Sequence, residues 1–384
     1  MIALFWILAF LVVFSLAGYG VIWILMARLV PAKDPGPLQP VRATMLIAAR
    51  NEADSIAEKI EAVLDQDCEP HYLSILVVSD GSDDGTEAKV ERVAETNDRV
   101  KLLVQPDHKG KAAALNLGLA KISSDQIVVF SDANSLLKPG SLSALLRPFS
   151  ADWVGGTIGQ LDISKKGGFL AFADRLFWKY DNALKAAEDR IGGTISAQGT
   201  LYALRRDLIG EVPEAMADDL ANSLGVVARG RRLFFVPDAV AVEKVTDKTK
   251  SEFGRRVRST ERGWRGLMHY AGLMNPFRHG AYAFQLFFHK CLRRLVAFIL
   301  PILFVVTWLL AGSSWFFAAL AIIQTLFYAL GIGAVYVSGL SRIPGASLAS
   351  LFTVGHIAMA MGVLRAVSGK RSVKWSPVRT TEAN

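Results

Sequence analysis

Two parts of this chain, one at each end, carry no charged side chain, and this distribution constrains the fold before anything else does. Residues 1–27 contain no Asp, Glu, Lys or Arg. At about 1.5 Å per residue they exceed the ~20 residues that cross a bilayer. A secretory signal peptide would start with basic residues and hold a shorter apolar run, whereas Met1-Ile2-Ala3-Leu4-Phe5-Trp6 has no basic start. An uncleaved transmembrane helix is therefore expected. Charge vanishes again from Leu295 to Ser341, enough for two spans joined at Gly312-Ser313-Ser314, and a third charge-free stretch runs from Ile343 to Leu364.

Between these blocks the composition is that of a water-soluble domain, which explains how 52% apolar and 20% charged residues coexist in one chain of 384. So apolar a chain offsets its ordering entropy, which excludes disorder. Two cysteines, Cys68 and Cys291, exclude a disulfide scaffold and a Cys-based zinc site. The six histidines form no HxxxH or HxH pair. Basic residues set the expected orientation. Arg28, Lys33 and Arg42 follow the first span, and Lys290, Arg293 and Arg294 precede the second, so the intervening domain is expected on the cytoplasmic side. Lys370, Arg371, Lys374 and Arg379 favour that side too, yet three later crossings would put them outside. Either 346–366 is re-entrant or interfacial, or the tail breaks the rule. The expected organisation is a transmembrane helix at 1–30, a catalytic domain at 38–250, interfacial amphipathic and basic helices at 251–291, two to three transmembrane or re-entrant helices at 292–367, and a basic tail at 368–384.

Within the soluble part, apolar runs of strand length at Ala43–Ala48, Leu73–Ser79, Val100–Val104 and Gln126–Ser131 lack strict alternation, as strands covered on both faces do. Helical patterns at 55–66, 85–96, 111–121 and 140–149 separate or follow them. This order implies an α/β fold with a parallel sheet and a ligand crevice beyond the carboxyl ends of the strands. The polar residues fall there: Asn51-Glu52, then Asp80 to Thr86, then Lys109-Gly110-Lys111, then Asp132-Ala133-Asn134. One such loop could be turn chemistry alone; four at one edge point to a nucleotide-diphosphate site. Asp80 could accept from a base N–H and Asp132 from ribose hydroxyls. Lys111, opening a helix, could meet phosphate. Asp132 and Asn134 could both offer oxygen to a hard divalent cation.

These motifs resemble those of the membrane-bound family-2 glycosyltransferases, relatives of the cellulose, chitin and hyaluronan synthases. The Asp80–Thr86 loop is similar to the family's DDGSxDGT-type loop with Ser79 in place of the first acid, and Lys109–Asn116 to its GKxxALN element. Asp132-Ala133-Asn134 stands where the family has DxD, and Ala217-Asp218-Asp219 where it has ED. The resemblance implies a GT-A fold, a Rossmann-like nucleotide-diphospho-sugar transferase domain, with a UDP-sugar donor, Mg2+ or Mn2+, and inversion at the anomeric carbon. It makes Asp219 the base, with Asp218 beside it, and Asn51, Glu52, Asp80, Lys111 and Asp132 donor-binding residues. Asn134 departs from DxD and offers a weaker, neutral ligand. The family's QxxRW segment is altered here. If Arg262 matches its Arg, Ser259 and Gly263 stand at the Gln and Trp positions, and Trp264 is displaced by one. Arg258 and Arg262, four apart on a helix, could still face the diphosphate together; a basic helix against anionic headgroups is the other reading. Gly199, in Gln198-Gly199-Thr200, and Trp264 are the acceptor candidates.

The run Phe169, Phe172, Ala173, Leu176, Phe177, Tyr180, Leu184, with Asp174, Arg175, Asp181, Asn182 and Lys185 opposite, has the pattern of a core helix, and its aromatic content beside the membrane favours an interfacial one. The function expected is transfer of a sugar to a lipid-linked or saccharide acceptor at the cytoplasmic face of a bacterial inner membrane, in cell-envelope or exopolysaccharide biosynthesis. A processive exopolysaccharide synthase, completed by an oligomer or export partner, is one alternative. A non-catalytic nucleotide-sugar-binding membrane scaffold is another. The +8 charge is not read as nucleic-acid binding, because the Arg258–Arg265 cluster borders the membrane rather than forming a groove with spaced aromatics.

Overall fold

The computed structural model describes residues 1–162, 168–243, 249–337 and 339–369; the expected basic tail, with Lys370 and Arg371, lies outside them. In chain order, α1 (Ile2–Ala27) is followed by β1 (Arg42–Ala49), α2 (Ile56–Leu64), β2 (Tyr72–Asp80), α3 (Thr86–Thr96), β3 (Val100–Gln105) and α4 (Lys111–Leu119). Then come β4 (Ile127–Phe130), β5 (Ser135–Leu137), α5 (Ser141–Leu146), β6 (Val154–Asp162), α6 (Gly168–Ile191), β7 (Tyr202–Arg205), α7 (Asp218–Ala228) and β8 (Arg232–Glu243). Four helices close the chain: α8 (Thr249–His269), α9 (Ala281–Leu310), α10 (Trp315–Tyr336) and α11 (Ala346–Val367). They belong to two compact units, one drawn from residues 23–247 and 269–283, the other from 1–22, 248–268 and 284–372.

The first unit is built on one eight-stranded sheet in the order β3-β2-β1-β4-β7-β6-β8-β5. β1 to β4 are parallel, as their alternation with helices requires. Their side chains alternate between two apolar layers: Met45, Ile47, Ile75 and Val77 pack with Ile56 and Ile60 of α2, whereas Leu46, Leu76 and Val78 pack with Ala114 and Leu115 of α4. In β1, β2 and β4 both faces are largely dry, so the runs read as continuous apolar segments rather than alternating ones, whereas the edge strand β3 exposes Lys101 and Val104. Beyond β4 the expected parallel sheet becomes mixed. β7 runs antiparallel to β4 and β6, and β5 antiparallel to β8. No sequence period marks such a reversal, because a strand looks the same in either direction.

In α6 the expected polar face is turned inward over its second half. Asp181 and Lys185 are buried together with Leu184 and Ala187 and form an ion pair of 2.7 Å, while Leu176 is exposed. Pairing offsets the desolvation that kept those charges on the outside in a pattern-based reading. The side chains of Phe169, Phe172, Ala173, Asp174, Arg175 and Phe177 lie outside the described residues.

In the second unit, α1, α9, α10 and α11 are each long and apolar enough to cross a bilayer. Phe5, Leu8 and Val12 of α1 pack against Val296, Leu300 and Leu303 of α9, and Phe5 meets the edge of the Phe317 ring. α9 contains a π-helical turn at Leu286–Leu292. α11 is one unbroken helix, and its second half lies against the charged helix α8. A Cβ on Gly362 would come within 2.6 Å of Thr260 Cβ and 2.7 Å of the Val257 carbonyl. Arg265 donates to the Arg365 carbonyl at 3.4 Å. Small residues admit such close backbone approach. Gly362→Leu should therefore force the two helices apart at an overpacking cost of about 1–3 kcal/mol and lower the unfolding temperature of the detergent-purified chain. Gly254→Ala, on α8 with nothing within 4 Å, should not lower it.

Candidate active site

The parallel strands β1 to β4 all end at one edge of the sheet, which brings together four loops distant in sequence. The first two are tied directly. Asn51, with φ +54, accepts from the Asp83 N–H at 2.9 Å and donates its own N–H to Ser82 Oγ. The Glu52 N–H donates to Thr86 Oγ1 at 2.9 Å, and the Ala53 N–H to Asp84 Oδ2 at 3.0 Å. Gly81 lies so close to the third loop that a Cβ would sit 2.9 Å from the His108 backbone nitrogen, and its φ of +65 lies in the left-handed region that favours glycine.

Asp80 has a different part from the one expected of it. Its side chain is 0% exposed, and four donors saturate its two oxygens: Gln105 Nε2 at 2.6 Å, the Lys109 and Gly110 N–H groups at 2.8 and 2.9 Å, and His108 Nδ1 at 2.8 Å. The carboxylate organises the loop ahead of α4 and leaves no open oxygen for a base. An Asp at a strand end looks alike in sequence whether it faces ligand or its own loop.

The loop that Asp80 fixes aims Lys111 at the centre of the edge. Lys111 Nζ lies 2.9 Å from Asp132 Oδ1 and 3.2 Å from Asp218 Oδ2. Burial opposes its charge, but the two carboxylates outweigh burial and hold its pKa well above the ordinary lysine value. Asp132 keeps a third of its side-chain surface exposed, and Gly199 stands beside it, a Cβ there lying 3.7 Å from Asp132 Oδ2. Asp218 and Asp219 open α7, where carboxylates complement the helix dipole. Asp219 Oδ1 also accepts from the Leu220 N–H at 2.7 Å. Glu52, near Asp132, has its pKa raised by burial and by Asp132, Asp84 and Asp54, against a lowering bond from Ser55. Asn51, Glu52, Lys111, Asp132, Asn134, Gly199, Asp218 and Asp219 thus belong to one unit. Arg258, Arg262 and Trp264 lie on α8, in the other, where Trp264 is buried.

Asp132 and the exposed Asn134 form a hard, oxygen-only donor pair, and an ammonium already sits against Asp132. Such a pair fits Mg2+ or Mn2+. Among the described residues no three His, Cys, Asp or Glu gather to hold a metal. An ion here would draw its remaining ligands from phosphate and water, as Mg2+ commonly does.

Sequence reading missed Lys59. Fully buried, it donates from Nζ to Ser131 Oγ at 2.7 Å and the Ser135 carbonyl at 2.6 Å, bracketing the Asp132–Asn134 turn from below. Its signal was a lysine inside the apolar stripe Ile56, Ile60, Val63. Tyr202, stacked on Phe130 at 4.6 Å, was also missed.

Comparison with known proteins agrees with this architecture. Residues 44–212 match the family model described as Glycosyl transferase family 2. The chain is 24% identical over 231 residues to the poly-beta-1,6-N-acetyl-D-glucosamine synthase of Staphylococcus aureus, covering 59% of this chain and 55% of that protein. It is 24% identical over 272 residues to the probable glycosyltransferase YdaM of Bacillus subtilis, covering 67% and 63%. The chain thus spans somewhat over half the length of these relatives. Among solved structures, the mannosyltransferase PcManGT from Pyrobaculum calidifontis, in complex with GDP-Man and Mn2+, superposes with a TM-score of 0.69 at 24% identity, over 96% of this chain and all of that one. The fold is GT-A. Residues 44–212 thus form a domain similar to the family-2 glycosyltransferases, and the chain resembles a poly-beta-1,6-N-acetyl-D-glucosamine synthase over 231 residues.

Burial lowers the Lys59 pKa to about 7, against the nearby Asp132 charge that raises it. Between about 7 and the ordinary lysine value the folded chain binds fewer protons than the unfolded one, so stability rises with pH across that window and is flat below it. Thermal unfolding at pH 7 and pH 9 should show the wild-type advantage over Lys59→Met growing with pH. A constant difference would refute the buried, proton-releasing lysine.

Proposed function

We propose that this chain is an inverting transferase that moves a sugar from a nucleotide-sugar, most simply a UDP-sugar, to a lipid-linked or saccharide acceptor. The observation that carries the reading is the Lys111 ammonium held between Asp132 and Asp218, with Asp219 next in sequence. Transfer breaks the bond between the anomeric carbon and the diphosphate, while an acceptor hydroxyl attacks the opposite face of that carbon and gives up its proton. In this reading Asp219 receives the proton, and Asp218 fixes the lysine. Lys111, at the start of α4, stabilises the departing diphosphate together with free N–H groups of the helix. A bound Mg2+ or Mn2+, held by Asp132 and Asn134, would neutralise charge on the diphosphate. Gly199 leaves room beside Asp132 for the sugar or the acceptor. Asn51 and Glu52 join the first two loops near the donor, and Arg258 and Arg262 are further phosphate candidates from α8. Trp264 remains an acceptor candidate.

The setting we infer is the cytoplasmic face of a bacterial inner membrane, in envelope or exopolysaccharide biosynthesis. Four apolar helices support a multi-pass protein. The contact of α11 with charged α8 supports a return of its second half to the side of Arg293 and Arg294, which would also reconcile the basic tail with that side. Resemblance to a poly-beta-1,6-N-acetyl-D-glucosamine synthase over 59% of the chain favours a second reading, a processive synthase aided by an oligomer or export partner.

Purified chain given a panel of UDP-sugars, an acceptor extract and Mn2+ should release UDP. Asp219→Asn should lower that release by about 10²–10⁴-fold, the usual contribution of a positioned base, without lowering the unfolding temperature. Full activity in the variant would exclude Asp219 as base. Chelation with EDTA should abolish release, and added Mn2+ should restore it. Mass analysis of the product separates the two readings: one added residue indicates single transfer, and a ladder indicates a polymerase.

A further inference from the structure

Lys59 lies on the buried side of α2 with Ile56, Ile60 and Val63, and it is fully buried. Taking an ammonium out of water is costly unless good acceptors surround it. An apolar side chain of the same length would fill the place without that cost, so packing alone does not account for a lysine here.

Three oxygens face its nitrogen. Nζ donates to the Ser135 carbonyl at 2.6 Å, to Ser131 Oγ at 2.7 Å and, more weakly, to Ser135 Oγ at 3.4 Å. An ammonium has three protons to give, so each finds an acceptor. The two hydroxyls pass their own protons on: Ser131 Oγ donates to the Thr200 carbonyl at 2.8 Å, and Ser135 Oγ to the Asp132 carbonyl at 2.9 Å. Ser131, Ser135 and Thr200 are themselves buried. A buried network satisfied in this way rigidifies the segments it joins.

Two parts of the candidate site converge on this ammonium. One is the turn after β4. Ser131 and Ser135 are its two ends, with Asp132 and Asn134 between them, so tying both ends to one nitrogen fixes the span that carries the hard oxygen pair. The other is the segment leading into β7. The pairing of β4 with β7 ends at Phe130 and Tyr202, and past that pair Ser131 joins the two chains through the Thr200 carbonyl. Thr200 follows Gly199, where a Cβ would lie 3.7 Å from Asp132 Oδ2. Lys111, 2.9 Å from the Asp132 carboxylate, holds a side chain from the crevice. Lys59 holds the main chain beneath it.

We propose that Lys59 is a positioning residue of the transferase site, setting the Asp132–Asn134 turn, and its distance from Gly199, for a divalent cation. The proposal rests on the transferase reading of that site. Groups that orient metal ligands from behind commonly change metal affinity by about 10–100-fold when removed.

The test reads Mn2+ binding as well as turnover. The full chain, purified in detergent, is titrated with Mn2+ in the presence of UDP, and free Mn2+ is followed by electron paramagnetic resonance. Lys59→Met keeps the length of the side chain and removes its donors; it should weaken Mn2+ binding about tenfold or more. Ser131→Ala releases Thr200 but leaves the lysine bonded to Ser135, and it should weaken binding by a smaller factor. In UDP release the Mn2+ concentration for half-maximal rate should rise in step, with kcat recovering toward wild type at saturating Mn2+. Lys101→Gln, on the exposed side of β3, should behave as wild type does. A folding defect would instead reduce the number of Mn2+ sites per chain and leave the affinity of the remainder unchanged; that result in Lys59→Met, with Ser131→Ala equal to wild type, would overturn the proposal. Unchanged affinity and site number in both variants would overturn it too, while leaving the transferase reading standing. A wild-type chain that binds no Mn2+ with UDP would overturn that reading and the proposal together.

Discussion

The candidate site depends on one ammonium. Lys111 is the point at which α4, the turn after β4 and the start of α7 meet, and it satisfies two carboxylates that would otherwise repel each other across the crevice. Its position is set in turn by Asp80, whose four hydrogen bonds fold residues 105–110 so that α4 begins where it does. Remove the ammonium and two negative charges face one another at the sheet edge. Supply a divalent cation and a diphosphate, and the same carboxylates acquire competing partners. A site balanced in this way is suited to exchange its internal counter-ion for a ligand without rebuilding the sheet beneath it.

Much of this was legible in the sequence, for identifiable reasons. Charge-free runs are long-range compositional signals, and α1, α9, α10 and α11 fall within them. Strands β1, β2 and β4 were recognisable because burial on both faces leaves few polar residues within them, and loops at their ends stand out against that background. The remainder was hidden where one residue type serves two purposes. Asp80 ends one strand and Asp132 follows another, yet one is sealed within its loop and the other stays partly open. Lys59 was one charged residue among others in the helical pattern 55–66, and only the fold shows hydroxyl and carbonyl oxygens closing over it. In α6 a hydrophobicity pattern counts Asp181 and Lys185 as two outward charges, whereas as a pair they can be turned in together.

The membrane unit follows a different packing rule from the catalytic one. In the sheet, contact is made by interlocking branched side chains of Ile, Val and Leu. Between α8 and α11 it is made by absence: Gly362 lets the Val257 carbonyl approach, and Gly355 leaves space beside Arg256. Where lipid competes for apolar surface, burying another leucine gains little, and close backbone approach becomes the stronger source of cohesion. The same economy of volume leaves room for large cationic side chains between helices.

The π-helical turn at Leu286–Leu292 acts as a phase shift in a long rod. An α-helix advances about 100° per residue, so the extra residue taken up by the wide turn rotates everything after it relative to everything before. The apolar face of α9 below Leu295 and the segment leading out of Ala281 are therefore indexed to different neighbours, as if two helices had been spliced out of register. Losing one residue within the turn would leave composition and length almost unaltered, yet would swing the basic cluster away from the helices it now faces. The spatial arrangement of this unit is thus encoded in a count of residues as much as in their chemistry.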